Sequence, residues 1–106
     1  MQQIESQIKV TDEDHKRNRQ AMDKVMADYR SSLTKTLEGG GAETVAKHKK
    51  RGKMLARERI EALIDDGAPF LEFSTFAANG MYGGDAPGAG IVTGIGRVNG
   101  RECVIV

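Results

Sequence analysis

The side chains able to do chemistry are concentrated in one short stretch. Residues 47–59 carry seven Lys/Arg and one Asp/Glu, a local charge of +6, in a chain whose formal net charge is only +1. The flanks run the other way: seven basic and eight acidic residues in 1–46, two and six in 60–106. A basic island of this kind attracts polyanions, whether a nucleic acid, a nucleotide phosphate or an acidic partner. Within it Arg51, Lys53 and Arg57 flank Gly52 at the junction of two helical segments, where unpaired N–H groups add positive character. The same residues admit a structural reading, in which Arg57 and Arg59 pair with Glu58, Glu61 or a neighbouring domain while Lys47, Lys49 and Lys50 are solvated.

Other chemistries find less support in the residue types. His15 and His48 lie in separate polar segments without Cys or carboxylates at ligand spacing, and Cys103 is the single cysteine, so no metal site can be assembled from them. His48, among lysines, reads as a solvated residue. No nucleophile elbow or P-loop occurs and no His pairs with Cys103 as a base, so no catalytic residue is assigned. The glycines from Gly88 to Gly96 superficially resemble a dinucleotide loop, but that motif needs a strand before it and a helix after it. Here β-type residues lie inside and after the run, and Gly94 and Gly96 read instead as a bulge or a close backbone approach within a strand. The island also lacks the interleaved aromatics of a nucleic-acid surface, Tyr29 and Phe70 lying outside it.

The elements that must hold these residues follow from periodicity and punctuation. Thr11 and the acidic Asp12, Glu13 and Asp14 mark a helix start, and Met22, Met26, Tyr29, Leu33 and Leu37 recur on one face until Gly39-Gly40-Gly41 ends the helix. That stripe reads as a packing face in search of a partner. A second helix is expected over residues 42–50 and a third over 56–65, where Ile60, Leu63 and Ile64 form an apolar ridge before Asp66-Gly67 and Pro69 stop it. Phe70, Leu71, Phe73 and Phe76 suggest a short strand, their rings reading as core rather than as ligand contacts. Residues 77–90, rich in glycine, read as a long loop that lines either a pocket or a subunit interface. Ile91 to Val98 and Val104 to Val106, joined by Asn99-Gly100, predict a β-hairpin.

Length and composition bound the rest. A chain of 106 residues allows one small domain, and five Leu, seven Ile, seven Val and three Phe make a thin core for that length. With the hairpin still apolar at Val106, the expectation is an incomplete sheet, the beginning of a larger fold. A lone cysteine excludes an internal disulfide and favours a reducing compartment; with no apolar run of membrane length and no signal-peptide core, the expected protein is soluble and cytoplasmic.

Two blocks carry a family resemblance. Arg51-Gly52-Lys53, Arg57-Glu58-Arg59-Ile60 and Leu63 through Asp65, Gly67, Phe70 and Glu72 resemble the opening signature of the β subunits of biotin-dependent acyl-CoA carboxyltransferases. Gly90 to Val106, with Thr93-Gly94-Ile95-Gly96-Arg97-Val98 and Glu102-Cys103-Val104-Ile105, resembles the first hairpin of that family, in wording nearest to the methylcrotonoyl-CoA branch, with the geranyl-CoA branch close behind. The resemblance implies an α+β fold: a long helix with its Gly-rich end over 1–41, then, over 42–106, the incomplete start of a crotonase-like carboxyltransferase domain. It implies transfer of carboxylate from carboxybiotin, held on a carrier domain of a partner, to an enoyl- or acyl-CoA such as 3-methylcrotonoyl-CoA. It further implies a biotin carboxylase partner subunit and a homo-oligomer of β subunits, with no nucleic acid and no membrane as partner. Arg51, Lys53 and Arg57 would then face the CoA phosphates. The 106-residue chain by itself is expected to be inactive, and the competing reading is a non-catalytic subunit-interaction module derived from the same family.

Overall fold

Charge pairing and glycine punctuation build the helical part of the chain. The computed structural model describes residues 3–106. Helix α1 (Glu13–Leu37), α2 (Ala42–Lys50) and α3 (Ala56–Leu63) precede strands β1 (Leu71–Phe73), β2 (Thr93–Val98) and β3 (Arg101–Ile105), with a short 3-10 turn at Tyr82–Gly84. Two compact units are present, one reaching to Ser32 and one from Leu33 to Val106.

The first unit contains most of α1. The Lys16 N–H donates to the Asp12 carbonyl at 3.0 Å, which puts Asp12, one residue later than Thr11, at the cap position. Lys16–Glu13 and Arg17–Asp14 pair at 2.6 Å and Arg19–Asp23 at 3.3 Å. Such exposed pairs add only ~0.3 kcal/mol each. Along the apolar stripe Met22 is 57% and Tyr29 46% exposed, whereas Met26 and Leu33 are half-buried.

In the second unit, the sheet is antiparallel in the order β1-β2-β3. Leu71 pairs with Ile95 and Phe73 with Thr93; Gly94 pairs with Ile105 and Val98 with Arg101. Asn99 and Gly100 have φ of +51° and +76°. Two successive left-handed residues make the turn whose twist suits a two-residue hairpin, the one expected from Asn-Gly. The strand expected across 70–76 is shorter, because Ser74 turns to φ +58° and ends it at Phe73.

The glycines of β2 are a spatial requirement. A Cβ on Gly94 would lie 2.6 Å from the Leu71 carbonyl oxygen and 2.6 Å from Cε2 of Phe70; one on Gly96 would lie 2.7 Å from Cγ2 of Ile64. The Phe70 ring therefore lies across a furrow that only hydrogen atoms leave open, the close backbone approach expected from the sequence. The opposite face of the sheet presents Leu71, Ile95 and Val104 side by side in register, 66, 38 and 69% exposed.

Helix α3 ends two residues before the predicted Asp65. Ile64 is already extended, with ψ 156°, because Asp65 belongs to the hairpin. Its N–H donates to the Arg97 carbonyl at 2.8 Å. Its carboxylate accepts the N–H groups of Asn99 at 2.6 Å and Gly100 at 2.8 Å and stands 3.4 Å from Nε of Arg97. The Gly100 N–H, opposed by partial burial and aided by the Asn99 N–H and Arg97, holds the Asp65 carboxyl below its ordinary 3.8. A lowered folded-state value stabilises the fold above the ordinary value, and that stabilisation is lost as pH falls through the folded-state value. Asp65→Asn is thus expected to lower the urea midpoint, followed by circular dichroism, at neutral pH and to match the native chain once Asp65 is protonated. An equal gap at every pH would sink this assignment.

Candidate functional site

The basic island folds into an elbow between α2 and α3. At its start Arg51 closes α2, its N–H donating back to the His48 carbonyl at 3.2 Å, and Gly52, at φ +69°, donates to the Lys49 carbonyl at 2.9 Å. The left-handed residue reverses the chain, which is why a glycine stands between the two cations. From α2, the His48 Nε2–H donates to the Met54 carbonyl at 3.0 Å. From α3, the two oxygens of Glu58 divide their work: Oε2 accepts the Leu55 N–H at 2.8 Å and Oε1 pairs with Lys49 Nζ at 2.6 Å. The Lys49 ammonium first, and the Leu55 N–H second, hold the Glu58 carboxyl below its ordinary value. The elbow is thereby tied to both helices.

The same contacts sort the island's cations. Lys47 pairs with Glu43 at 2.7 Å and Lys49 with Glu58. Arg57 lays both guanidinium nitrogens on the Glu72 carboxylate of β1, Nη2 to Oε1 at 2.8 Å and Nη1 to Oε2. Among the described residues, Lys50, Arg51, Lys53 and Arg59 are exposed and form no ion pair. Arg51 and Lys53 thus lie on either side of Gly52 on the bend, neither in an ion pair, whereas Arg57 is held toward Glu72.

Beside the elbow is a cavity of about 370 Å³. Its walls come from the end of α1 at Thr36, from Val45 and His48 of α2, from Leu55 and Arg57 at the start of α3, and from Pro87 of the glycine-rich loop. Mostly apolar walls with a few polar groups are what small-molecule sites are made of. Gly88 matters to this shape, since a Cβ there would meet Thr36 Cγ2 at 3.3 Å and the Thr75 carbonyl at 3.4 Å. No group of three His, Cys, Asp or Glu suited to a metal occurs among the described residues. Cys103 is a free thiol on β3.

The sequence reading takes His48 as solvated, whereas it is half-buried and bonded to the elbow. A glutamate at the third position of α3 is a recognised capping signal and could have pointed to Glu58. Glu72 gives no such local sign as the partner of Arg57.

The family follows from the same residues. A carboxyl transferase domain model matches residues 47–106, the elbow through β3. The chain belongs to the carboxyltransferase β-subunit family of the acyl-CoA carboxylases. It is 51% identical over 83 residues to the biotin-dependent 3-methylcrotonyl-coenzyme A carboxylase beta1 subunit of Mycobacterium tuberculosis, covering 78% of this chain and 16% of that relative. It is 41% identical over 104 residues to the probable mitochondrial methylcrotonoyl-CoA carboxylase beta chain of Drosophila melanogaster, covering 97% of this chain and 18% of that relative. The crystal structure of the geranyl-CoA carboxylase beta subunit of P. aeruginosa superposes with a TM-score of 0.79 at 42% identity, over 95% of this chain and 19% of that one. The chain therefore spans less than a fifth of the length of these relatives. No helix among the described residues is long and apolar enough to cross a membrane.

Proposed function

We propose that this chain serves as the opening segment of a carboxyltransferase subunit that moves carboxylate from carboxybiotin to an enoyl-CoA, with 3-methylcrotonoyl-CoA as substrate. The substrate preference rests on the names of the relatives, and the phosphate role rests on Arg51 and Lys53. The observation that carries the proposal is the family match over 47–106 coinciding with two uncommitted cations on a tied-down bend. CoA is polyanionic, and cations held without a protein partner attract phosphate oxygens. Arg57 is neutralised by Glu72 and so contributes less to that attraction than Arg51 and Lys53. Residues 42–106 would begin a crotonase-like domain, preceded by the long helix and its Gly-rich end over 1–41.

Biotin supplies the carboxyl group when carried to such a subunit by a partner. Its neutral ureido ring calls for oriented N–H donors in a dry site, and solvent-facing Arg51 and Lys53 do not fit it. No step through biotin is therefore assigned to these residues. The partners in this reading are a biotin carboxylase and carrier subunit and further β subunits, and the compartment is a reducing one, taken to be the cytoplasm.

The test is biotin-dependent carboxylation by a holoenzyme whose carboxyltransferase subunit carries this segment, with 3-methylcrotonoyl-, geranyl- and propionyl-CoA compared. The expected outcome is turnover of 3-methylcrotonoyl-CoA with the highest kcat/KM, and none by the 106-residue chain alone. Preference for either other thioester would overturn the substrate, and activity of the chain alone would overturn the segment reading. A second reading, a non-catalytic interaction module, draws on the exposed row Leu71, Ile95 and Val104; it would be supported by a stable complex with carboxylase subunits that turns over no thioester.

A further inference from the structure

We infer that Glu58 and His48 are positioning residues for the thioester's phosphates, acting through the backbone of the elbow that bears Arg51 and Lys53. The inference rests on the phosphate reading of those two cations. Neither Glu58 nor His48 has to touch the ligand. Glu58 ties Lys49 of α2 to the Leu55 N–H across the bend, and His48 holds the Met54 carbonyl from the other side. Between these ties the backbone runs from Lys50 through Arg51, Gly52 and Lys53 to Met54, all exposed, with Gly52 as the pivot.

An untied bend with a left-handed glycine would sample many orientations, and each bound phosphate would have to freeze them. Ordering a loop or a long side chain on binding subtracts from affinity, and prior rigidity removes that cost. The clasp also keeps Glu58 away from the two cations: its oxygens are both occupied, so it does not compete with an incoming anion. A plain exposed ion pair would be worth little here. The division of the two Glu58 oxygens between a side chain of one helix and the backbone of the next is what makes this residue a brace.

The measurement is initial rate against acyl-CoA concentration in a carboxylase holoenzyme whose β subunit carries this segment. The double variant Arg51→Ala with Lys53→Ala is expected to raise KM for the thioester about tenfold while kcat stays within about twofold, the pattern of a lost binding contact. Glu58→Ala is expected to raise KM roughly three- to fivefold at unchanged kcat, and Glu58→Gln, which still accepts the Leu55 N–H, less than about twofold. Added to the double variant, Glu58→Ala should change KM no further, because residues acting through one another are non-additive. An unchanged KM in the double variant would overturn the phosphate reading and this inference with it. A raised KM in the double variant, with Glu58→Ala either silent or fully additive, would overturn the inference alone. Should Glu58→Ala fail to assemble, His48→Leu, which removes the bond to the Met54 carbonyl, carries the same comparison with the same outcomes.

Discussion

Gly94→Val is expected to cost about 3 kcal/mol of folding stability, at the upper end of what overpacking inflicts. The first added carbon would already lie 2.6 Å from the Leu71 carbonyl oxygen, an atom of backbone. For that oxygen to retreat, β1 must move away from β2, and with it the pairs Leu71–Ile95, Glu72–Gly94 and Phe73–Thr93. The Phe70 ring stands in the way as well, its Cε2 2.6 Å from the added carbon. Two further methyl groups make matters worse. Gly96→Ala is the internal comparison. Its nearest obstacle is the Ile64 Cγ2 methyl at 2.7 Å, a side-chain atom rather than backbone, so a smaller loss of about 1 kcal/mol is expected. Urea midpoints of the two variants decide the matter; equal losses would show that the furrow is not what holds Gly94.

Glu72→Ala is expected to cost about 2 kcal/mol, between the value of a surface pair and that of a buried one. The Arg57 and Glu72 side chains are 31 and 18% exposed, so solvent screens them in part but not fully. The two-point fork fixes the planar guanidinium as well as its charge. Without Glu72, Arg57 would stand as an unmatched cation in the cavity wall, and α3 would lose its link to β1. Arg57→Lys keeps the charge but gives up the fork and should lose roughly half as much. A loss below about 0.5 kcal/mol for Glu72→Ala, or one abolished by moderate salt, would place the pair with ordinary surface pairs.

These two sites differ in how far the sequence reveals them. The hairpin is legible because its determinants are local: β-branched runs around Asn99-Gly100 leave few alternatives. Gly94 and Gly96 are legible in kind, as glycines inside a strand, though nothing nearby names Phe70 and Leu71 as the groups that require them. The elbow is half legible. Its cations and Gly52 announce themselves by type, and Glu58 by its place in the first turn of α3. Arg57 is different: the sequence offers Glu58, Glu61 or a neighbouring domain, and the actual partner, Glu72, depends on where β1 lies beside α3, a tertiary fact without a local signature. The same holds for Asp65, whose helical pattern was overridden by the turn it binds, and for Ser74, which ends a strand that composition would have carried to Phe76.

The two junctions of the sheet also carry unequal entropic burdens. β2 and β3 meet across the Asn99-Gly100 turn, whereas residues 74–92 separate β1 from β2. Closing the longer segment costs about 2 kcal/mol more than closing the short turn, since the cost grows with the logarithm of loop length. The β2–β3 ribbon can therefore assemble on its own local contacts, while β1 depends on the packing of Phe70 over the glycine furrow and on the Glu72 fork to offset its longer tether. The order in which the sheet comes apart is thereby built in: β1 is its loosest strand, and the strand that anchors the cavity wall through Arg57 is the one most readily released.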